Sequence, residues 1–341
     1  MKKLLNFIFL LTVCALSIPL LTVGLAADAS VELYEPNALV SEAVLTQQEP
    51  RPEYDGKTVL KLCAQGEVRE ISLQEYLVGV LAAEMPAGFP EEALKAQAVA
   101  ARTYTLYKMA LYGSGEQAPE SHKGADLCDD PAHCEAFADL TEQALAMWGD
   151  SAEVYQQRLQ AAVKATDGMI LVYEEEPIAA VFCAASAEKT ESAKDVWGSE
   201  LPYLVSVDSP GGQACSQYQG TATVPQSDFA AAVKAQWPEA DFSGAPSTWF
   251  RDSHRSEAGG VIDVLVGGVR LSGSEVRQAA GLNSANFKVR VEGRDLVFTT
   301  VGYGHGVGLS QYGARYLALD GQTYDQILSH YYPETQLRLE G

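Results

Sequence analysis

The clearest pattern along the chain is a pair of helical stripes in its first third. Leu73, Leu77 and Val80 stand at i, i+4 and i+7, and the next position of that stripe, i+11, is Glu84. Ser72 and Glu75 have the spacing of a capping box that opens this helix, and Met85-Pro86 must end it, because a residue before proline avoids the helical region. A second helix is predicted after Phe89-Pro90, with Glu91 and Glu92 in its first turn, running through an alanine-rich stretch to about Lys108. Short alternating runs predict strands at Thr58 to Leu62 and Val68 to Ile71 about a Gln65-Gly66 turn, and at Met169 to Tyr173 and Ile178 to Phe182 about Glu174 to Pro177. A helix from about Ser151 to Ala165 lies between these pairs. Past Gly259 the pattern is strand-rich, with Val261 to Val266 and a hairpin from Phe287 to Thr300, and short helices at Gly273 to Ala280 and Ser310 to Leu319. Long helices followed by antiparallel strands, with no regular βαβ alternation, predict an α+β fold in which a helical N-terminal lobe packs on an antiparallel β-rich lobe.

The N-terminus is patterned differently. Lys2 and Lys3 precede an uncharged stretch from Leu4 to Ala27, long enough to cross a bilayer as a helix. Residues 1–27 are therefore read as a transmembrane anchor, with a cleaved signal peptide as the other reading, and the two lysines keep the N-terminus inside. The remainder is then extracytoplasmic, on a single-pass membrane protein. Residues 28–56 are acidic, carry Pro36, Pro50 and Pro52, and read as a linker, leaving 57–335 as one domain. With 341 residues, 47% of them hydrophobic, that domain can bury a sizeable core. The formal net charge of −21 argues against nucleic acid as a partner, since affinity for phosphates rests on Lys and Arg.

Three groups of residues carry candidate chemistry. Glu84 is a carboxylate that ends an apolar face; burial there raises its pKa, as a general acid near neutral pH requires, while the plainer reading is a Glu that swings to solvent. Arg102 shares a stripe with Val99, Leu106 and Met109 and needs a partner, either Glu84, a substrate oxygen or water reached by snorkelling. His122, Cys128, His133 and Cys134 fall within an excursion spanning about residues 112–139, and their spacing leaves a closed zinc site and a Cys128–Cys134 disulfide both open. The third group is the glycine-rich run Gly302 to Gly308, which lacks the βαβ context of a dinucleotide site and reads as a turn bringing His305 close to another element. His305 and Gln311 offer donors to sugar hydroxyls or an N-acetyl group, whereas Ser310 is as much a helix N-cap as a ligand contact.

The run Tyr76 to Pro86, followed by Ala93 to Tyr104, resembles the stage II sporulation protein D family, whose domain is shared with amidase enhancers. Gly304-His305-Gly306-Val307-Gly308-Leu309-Ser310-Gln311-Tyr312-Gly313-Ala314 is similar to the family's second hallmark, and Asp195 to Gly198 with Pro202-Tyr203-Leu204 adds a weaker middle match. The resemblance covers about Thr58 to Pro333. It implies a peptidoglycan lytic transglycosylase that cleaves MurNAc-GlcNAc bonds of glycan strands during forespore engulfment, with Glu84 as acid/base and Arg102 as its functionally important arginine. It further implies substrate contacts at Tyr203, His305, Ser310, Gln311 and Tyr312, and partnership with a cell-wall amidase and a membrane organiser of the engulfment machinery. Clostridial members carry a two-His, two-Cys zinc site at this spacing, which favours structural zinc at His122, Cys128, His133 and Cys134. The chain departs from the family at Phe182 to Glu188, often a more polar stretch, and at Val205, where many members have lysine. Two other functions are weighed beside the enzyme: a non-catalytic module that stimulates an amidase, and a zinc hydrolase using the Cys/His cluster.

Overall fold

The computed structural model describes residues 53–113, 118–141, 145–146 and 148–340. The expected anchor, residues 1–27, and the linker up to residue 52 lie outside the described residues. Among the described residues no helix is long and apolar enough to cross a membrane.

The first lobe begins with a hairpin, β1 (Val59–Ala64) and β2 (Glu67–Ser72), joined by Gln65 and Gly66 with φ of 51° and 83°. Positive φ at both turn residues matches the twist of a two-residue hairpin, so the turn fixes the register. Helix α1 (Leu73–Glu84) follows, its Ser72 Oγ accepting the Glu75 N–H at 3.1 Å. It stops at Met85 in extended conformation before Pro86, as the sequence requires. Helix α2 (Glu91–Gly113) runs one turn past its expected end. Strand β3 (Leu127–Cys128) in the excursion pairs parallel to β1. Helix α3 (Ala152–Ala165) packs on α1 and α2, and β4 (Met169–Tyr173) turns through Glu174 and Glu175 into β5 (Glu176–Pro177). The strand expected at Ile178 to Phe182 shrinks to β6 (Phe182–Cys183): the Ile178 N–H still donates to the Leu171 carbonyl at 3.2 Å, but the Ala180 and Val181 N–H groups turn back onto the carbonyls of Ile178 and Ala179, both at 2.8 Å. Helix α4 (Ala193–Trp197) closes this part of the chain.

A second lobe then interrupts the first. Strand β7 (Gln219–Pro225), helix α5 (Gln226–Gln236), strands β8 (Phe250–Arg255), β9 (Val261–Val266) and β10 (Val269–Ser272), helix α6 (Gly273–Ala280) and the hairpin β11 (Phe287–Glu292)/β12 (Asp295–Val301) make two three-stranded antiparallel sheets. They enclose a separate core around Phe229, Val266, Leu271, Leu296 and Phe298.

The chain returns to the first lobe through the glycine-rich run. Strand β13 (Leu309–Ser310) pairs parallel to β6, helices α7 (Gln311–Leu319) and α8 (Tyr324–Tyr331) pack on α2, and β14 (Gln336–Leu339) pairs with β4. The re-entry depends on Gly308: its φ is +72°, and a Cβ there would lie 2.0 Å from the Val181 carbonyl oxygen. The fold is thus α+β with a helical and a β-rich lobe, the β-rich lobe being an insertion between Tyr218 and Gly302.

The expected linker ends earlier than residue 56. Asp55 is 1% exposed and accepts Arg102 Nε at 2.8 Å and Nη2 at 2.6 Å, while the N–H groups of Tyr54 and Asp55 donate to the Asp167 carboxylate at 3.2 and 2.7 Å. Arg102, wholly buried, also donates to the carbonyls of Met169 (3.0 Å) and Val163 (3.3 Å). Removing one partner of such a buried pair leaves the other charge without compensation. Arg102→Met should therefore cost about 3–5 kcal/mol of stability in urea unfolding; an unfolding midpoint equal to the parent's would contradict the structural reading of this ion pair.

Candidate active site

Glu84 stands at the C-terminal end of α1, half-buried. A strap from the Cys/His excursion, residues 134–139, lies antiparallel along that helix. The Ala136 N–H donates to Glu84 Oε1 at 3.1 Å, the Phe137 ring stacks on Tyr76 with centroids 5.7 Å apart, and the Ala138 N–H donates to the Gly79 carbonyl at 3.1 Å. At its end Asp139 pairs with Arg69 at 2.9 Å. Gly79 lets the strap come this close, since a Cβ there would lie 2.2 Å from the Phe137 ring.

From the other side comes the first turn of α7. Gln311 is 3% exposed, and its amide interacts with the Glu84 carboxyl, although Nε2 has no partner at hydrogen-bond distance. Desolvation pushes the Glu84 carboxyl up to about 7, with the Ala136 N–H and the Gln311 amide each pulling back towards the charged form. Glu135, 3% exposed, lies behind it: its Oε2 accepts the Thr105 hydroxyl at 2.8 Å, and burial, with the Glu84 charge adding to it, drives its carboxyl well above the usual range. Tyr303, from the glycine-rich run, and Tyr76 also feel the Glu84 charge.

The excursion that carries the strap is drawn together by His122, Cys128, His133 and Cys134, whose ligating atoms all lie within 4.8 Å of one another. Cys134 Sγ is 3.3 Å from His122 Nε2 and Cys128 Sγ is 3.5 Å from His133 Nδ1, the edge length of a tetrahedron with bonds of about 2.0–2.3 Å. The Asp130 N–H donates to Cys128 Sγ at 3.3 Å and Ser121 Oγ meets His133 Nε2 at 3.0 Å, outer contacts of the kind that orient metal ligands. The Cys134 thiol, together with both histidines and the Asp130 N–H, draws the Cys128 thiol well below its usual pKa. All five cysteines among the described residues are free thiols, so the disulfide alternative is not formed. The donor set and its spacing fit a four-coordinate zinc ion.

A family model described as Stage II sporulation protein matches residues 64–173, the stretch that holds Glu84, the strap and α2. Stage II sporulation protein D of Bacillus subtilis (strain 168) is 38% identical over 277 residues, covering 80% of this chain and 76% of that protein. The chain belongs to the stage II sporulation protein D family. The protein of the same name from Bacillus amyloliquefaciens is 37% identical over 265 residues, 78% of this chain and 74% of its own. An amidase enhancer of Bacillus subtilis (strain 168) is 26% identical over 312 residues, 76% of this chain and 40% of its own.

Several residues that the resemblance to this sporulation family places at the site are used elsewhere. Arg102 does not partner Glu84; its guanidinium is committed to Asp55 and to backbone carbonyls inside the first lobe. Tyr203 is buried against Tyr173 at a centroid distance of 5.6 Å, and burial raises the pKa of its hydroxyl. Ser310 is buried and acts as the N-cap of α7, its Oγ accepting the Gly313 and Ser186 N–H groups, both at 3.3 Å. His305 lines a polar cleft between the lobes together with Glu191, Asp195 and Asn286. Its Nδ1 accepts the Val307 N–H at 3.1 Å; desolvation, against the opposing influence of the Phe182 backbone, pushes its pKa down to about 4, which keeps the ring neutral. Tyr312 packs edge-on against Phe89, 5.1 Å between centroids, beside the α1–α2 connection. Of the residues expected around Glu84, Gln311 influences its carboxyl, favouring the charged form. Sequence reasoning missed Glu135, Ala136 and Tyr303. Only the adjacency of Glu135 and Ala136 to Cys134 hinted that the excursion returns to α1.

Because the folded state holds the Glu84 proton up to about pH 7 and the unfolded chain only to about pH 4.5, stability falls as pH rises through that window. Glu84→Gln removes this loss while keeping an oxygen for the Ala136 N–H. It should be more stable than the parent at pH 8, by on the order of 2 kcal/mol, and equal to it below pH 4. Urea midpoints at the two pH values measure this, and a pH-independent difference would contradict the buried-acid assignment.

Proposed function

We propose that the protein is a peptidoglycan lytic transglycosylase that cleaves the MurNAc-GlcNAc bond of glycan strands freed of stem peptides, acting in forespore engulfment. The observation that carries this reading is the Glu84 carboxyl at a helix end, desolvated to about 7, with the Ala136 N–H donating to it and the Gln311 amide also favouring its charged form. Such a group can be an acid first and a base afterwards near neutral pH.

Glu84 gives its proton to the bridging oxygen as the bond from C1 of MurNAc to that oxygen breaks. The C6 hydroxyl oxygen of the same sugar then attacks C1 and its proton passes to the Glu84 carboxylate, closing a 1,6-anhydro ring and restoring the acid. No water is consumed. Hydrolysis would call for a second carboxylate across the bond. Glu135, the carboxyl that feels the Glu84 charge, is turned into the core onto Thr105, which supports the one-carboxyl route.

In this reading residues 1–27 anchor the chain in the cell membrane with the domain outside the cytoplasm, on the mother-cell side. A cell-wall amidase and a membrane organiser are its partners on the model of the family. Structural zinc held by His122, Cys128, His133 and Cys134 would fasten the excursion and hence the strap over α1; zinc supplies cross-linking there and no step of the reaction passes through it.

Incubating the full-length chain with stripped glycan strands should yield 1,6-anhydroMurNAc ends, and Glu84→Gln should lower their release by at least ~100-fold. Equal release by the variant overturns the enzyme reading. The second reading, favoured by the 26% identity to an amidase enhancer, predicts amidase stimulation that survives Glu84→Gln. For the metal, elemental analysis should find one zinc per chain, and chelation should lower the melting temperature. Cys134→Ser, already lacking a ligand, should show little further change; an unchanged melting curve for the parent on chelation would exclude a structural zinc.

A further inference from the structure

Gln311 differs in kind from the other side chains around Glu84. Tyr76 on α1, Glu135 on the strap and Tyr303 in the glycine-rich run are titratable groups. The Ala136 N–H donates to the carboxyl at 3.1 Å, and the Gln311 amide, without a hydrogen bond to it in the resting protein, also favours its charged form. It is nine-tenths and more buried, and its Nε2 lacks a hydrogen-bond partner in the resting protein. A buried amide N–H without an acceptor is a standing cost to the fold. Its backbone is held in place all the same: Ser310 Oγ ties the first turn of α7 to Ser186 and Gly313, and the Tyr312 N–H donates to the Ala184 carbonyl at 3.0 Å. A rigidly presented donor left unsatisfied beside a carboxyl has an acceptor waiting for it once that carboxyl becomes charged. Hydrogen bonds at catalytic groups are commonly long in the resting state and tighten as the reaction proceeds.

We propose that Gln311 is the positioning residue of Glu84: its amide N–H closes on the carboxylate left when the bridging oxygen takes the proton, and releases it when the C6 hydroxyl proton returns. The assignment rests on the lytic reading above and adds what sets the balance between the acid and base halves of the cycle. It also moves Gln311 from contacting sugar to holding the carboxyl that gives and takes back the proton. With the amide in place, the charged form of Glu84 is favoured; without it, Glu84 holds its proton to higher pH and becomes a poorer acid.

Gln311→Met keeps the length of the side chain and removes the donors. In the full-length chain, the Glu84 carboxyl can be followed by carbon-13 titration, its resonance assigned by loss in Glu84→Gln. The midpoint in Gln311→Met should lie about one pH unit above the parent's. The alkaline limb of glycan release should move with it, and kcat should fall roughly tenfold with KM unchanged within about twofold. An unmoved midpoint overturns the proposal, and a rise in KM with an unmoved midpoint makes Gln311 a sugar contact instead. Should Gln311→Met not fold, Gln311→Asn withdraws the same amide by one methylene and is read in the same way, a shift supporting the proposal and none overturning it. If the parent releases no anhydro ends, the lytic reading falls, and the titration still decides whether Gln311 governs Glu84.

Discussion

The hydrogen bond from the Ala136 N–H to Glu84 is the contact on which the architecture of the site turns. It joins two segments 52 residues apart, a helix end and a loop that has no hydrophobic core of its own. The strap reaches Glu84 because the Cys/His cluster gathers the excursion, Phe137 stacks on Tyr76, and Gly79 leaves room for both. Covering the helix end takes water away from the carboxyl, and that desolvation is the largest influence on its pKa. The same strap then returns one donor to it. A carboxyl that is dried but not isolated can change charge within one reaction cycle, which a fully solvated Glu, ionised at neutral pH, does not.

The rest of the fold brings distant parts of the chain to this point. The Asp55–Arg102 pair locks the first described residues under α2, and the β-rich lobe is inserted so that the chain must come back through Gly302 to Gly308. That return delivers Ser310 as an N-cap and Gln311 as a buried amide. The family's two long motifs thus come together in the fold, the first carrying Glu84 and the second the Gln311 amide that favours its charged form. Between the lobes, Glu191 Oε1 accepts the Gly260 N–H at 3.0 Å, a link that helps hold the insertion against the first lobe.

Much of this was legible in the chain. The stripe ending at Glu84 follows from helical periodicity, and Met85-Pro86 marks where it must stop. Arg102 was recognisable as a buried cation in need of a partner, but its partner lay in a segment whose prolines and acids read as linker. Periodicity describes one element at a time, so it says nothing of the strap, whose contacts with α1 are tertiary. Strand β8, almost wholly exposed, carries no apolar alternation to betray it. Helix α8 could have been found from its Thr323–Gln326 capping box. Ser310 and Tyr203 show how a motif residue can serve the fold: a hydroxyl that caps a helix is as indispensable to the motif as one that touches a ligand.

The central claim is that Glu84 presents its carboxyl to a glycosidic oxygen, with Gln311 beside it and Arg102 remote. A crystal structure of the Glu84→Gln protein with a peptide-free glycan fragment tests this most directly. The bridging oxygen between two sugars should lie within about 3.2 Å of the residue-84 amide, in the space between the strap and the first turn of α7. A fragment bound only in the cleft around His305 and Glu191, with residue 84 out of reach of any inter-sugar oxygen, would contradict it.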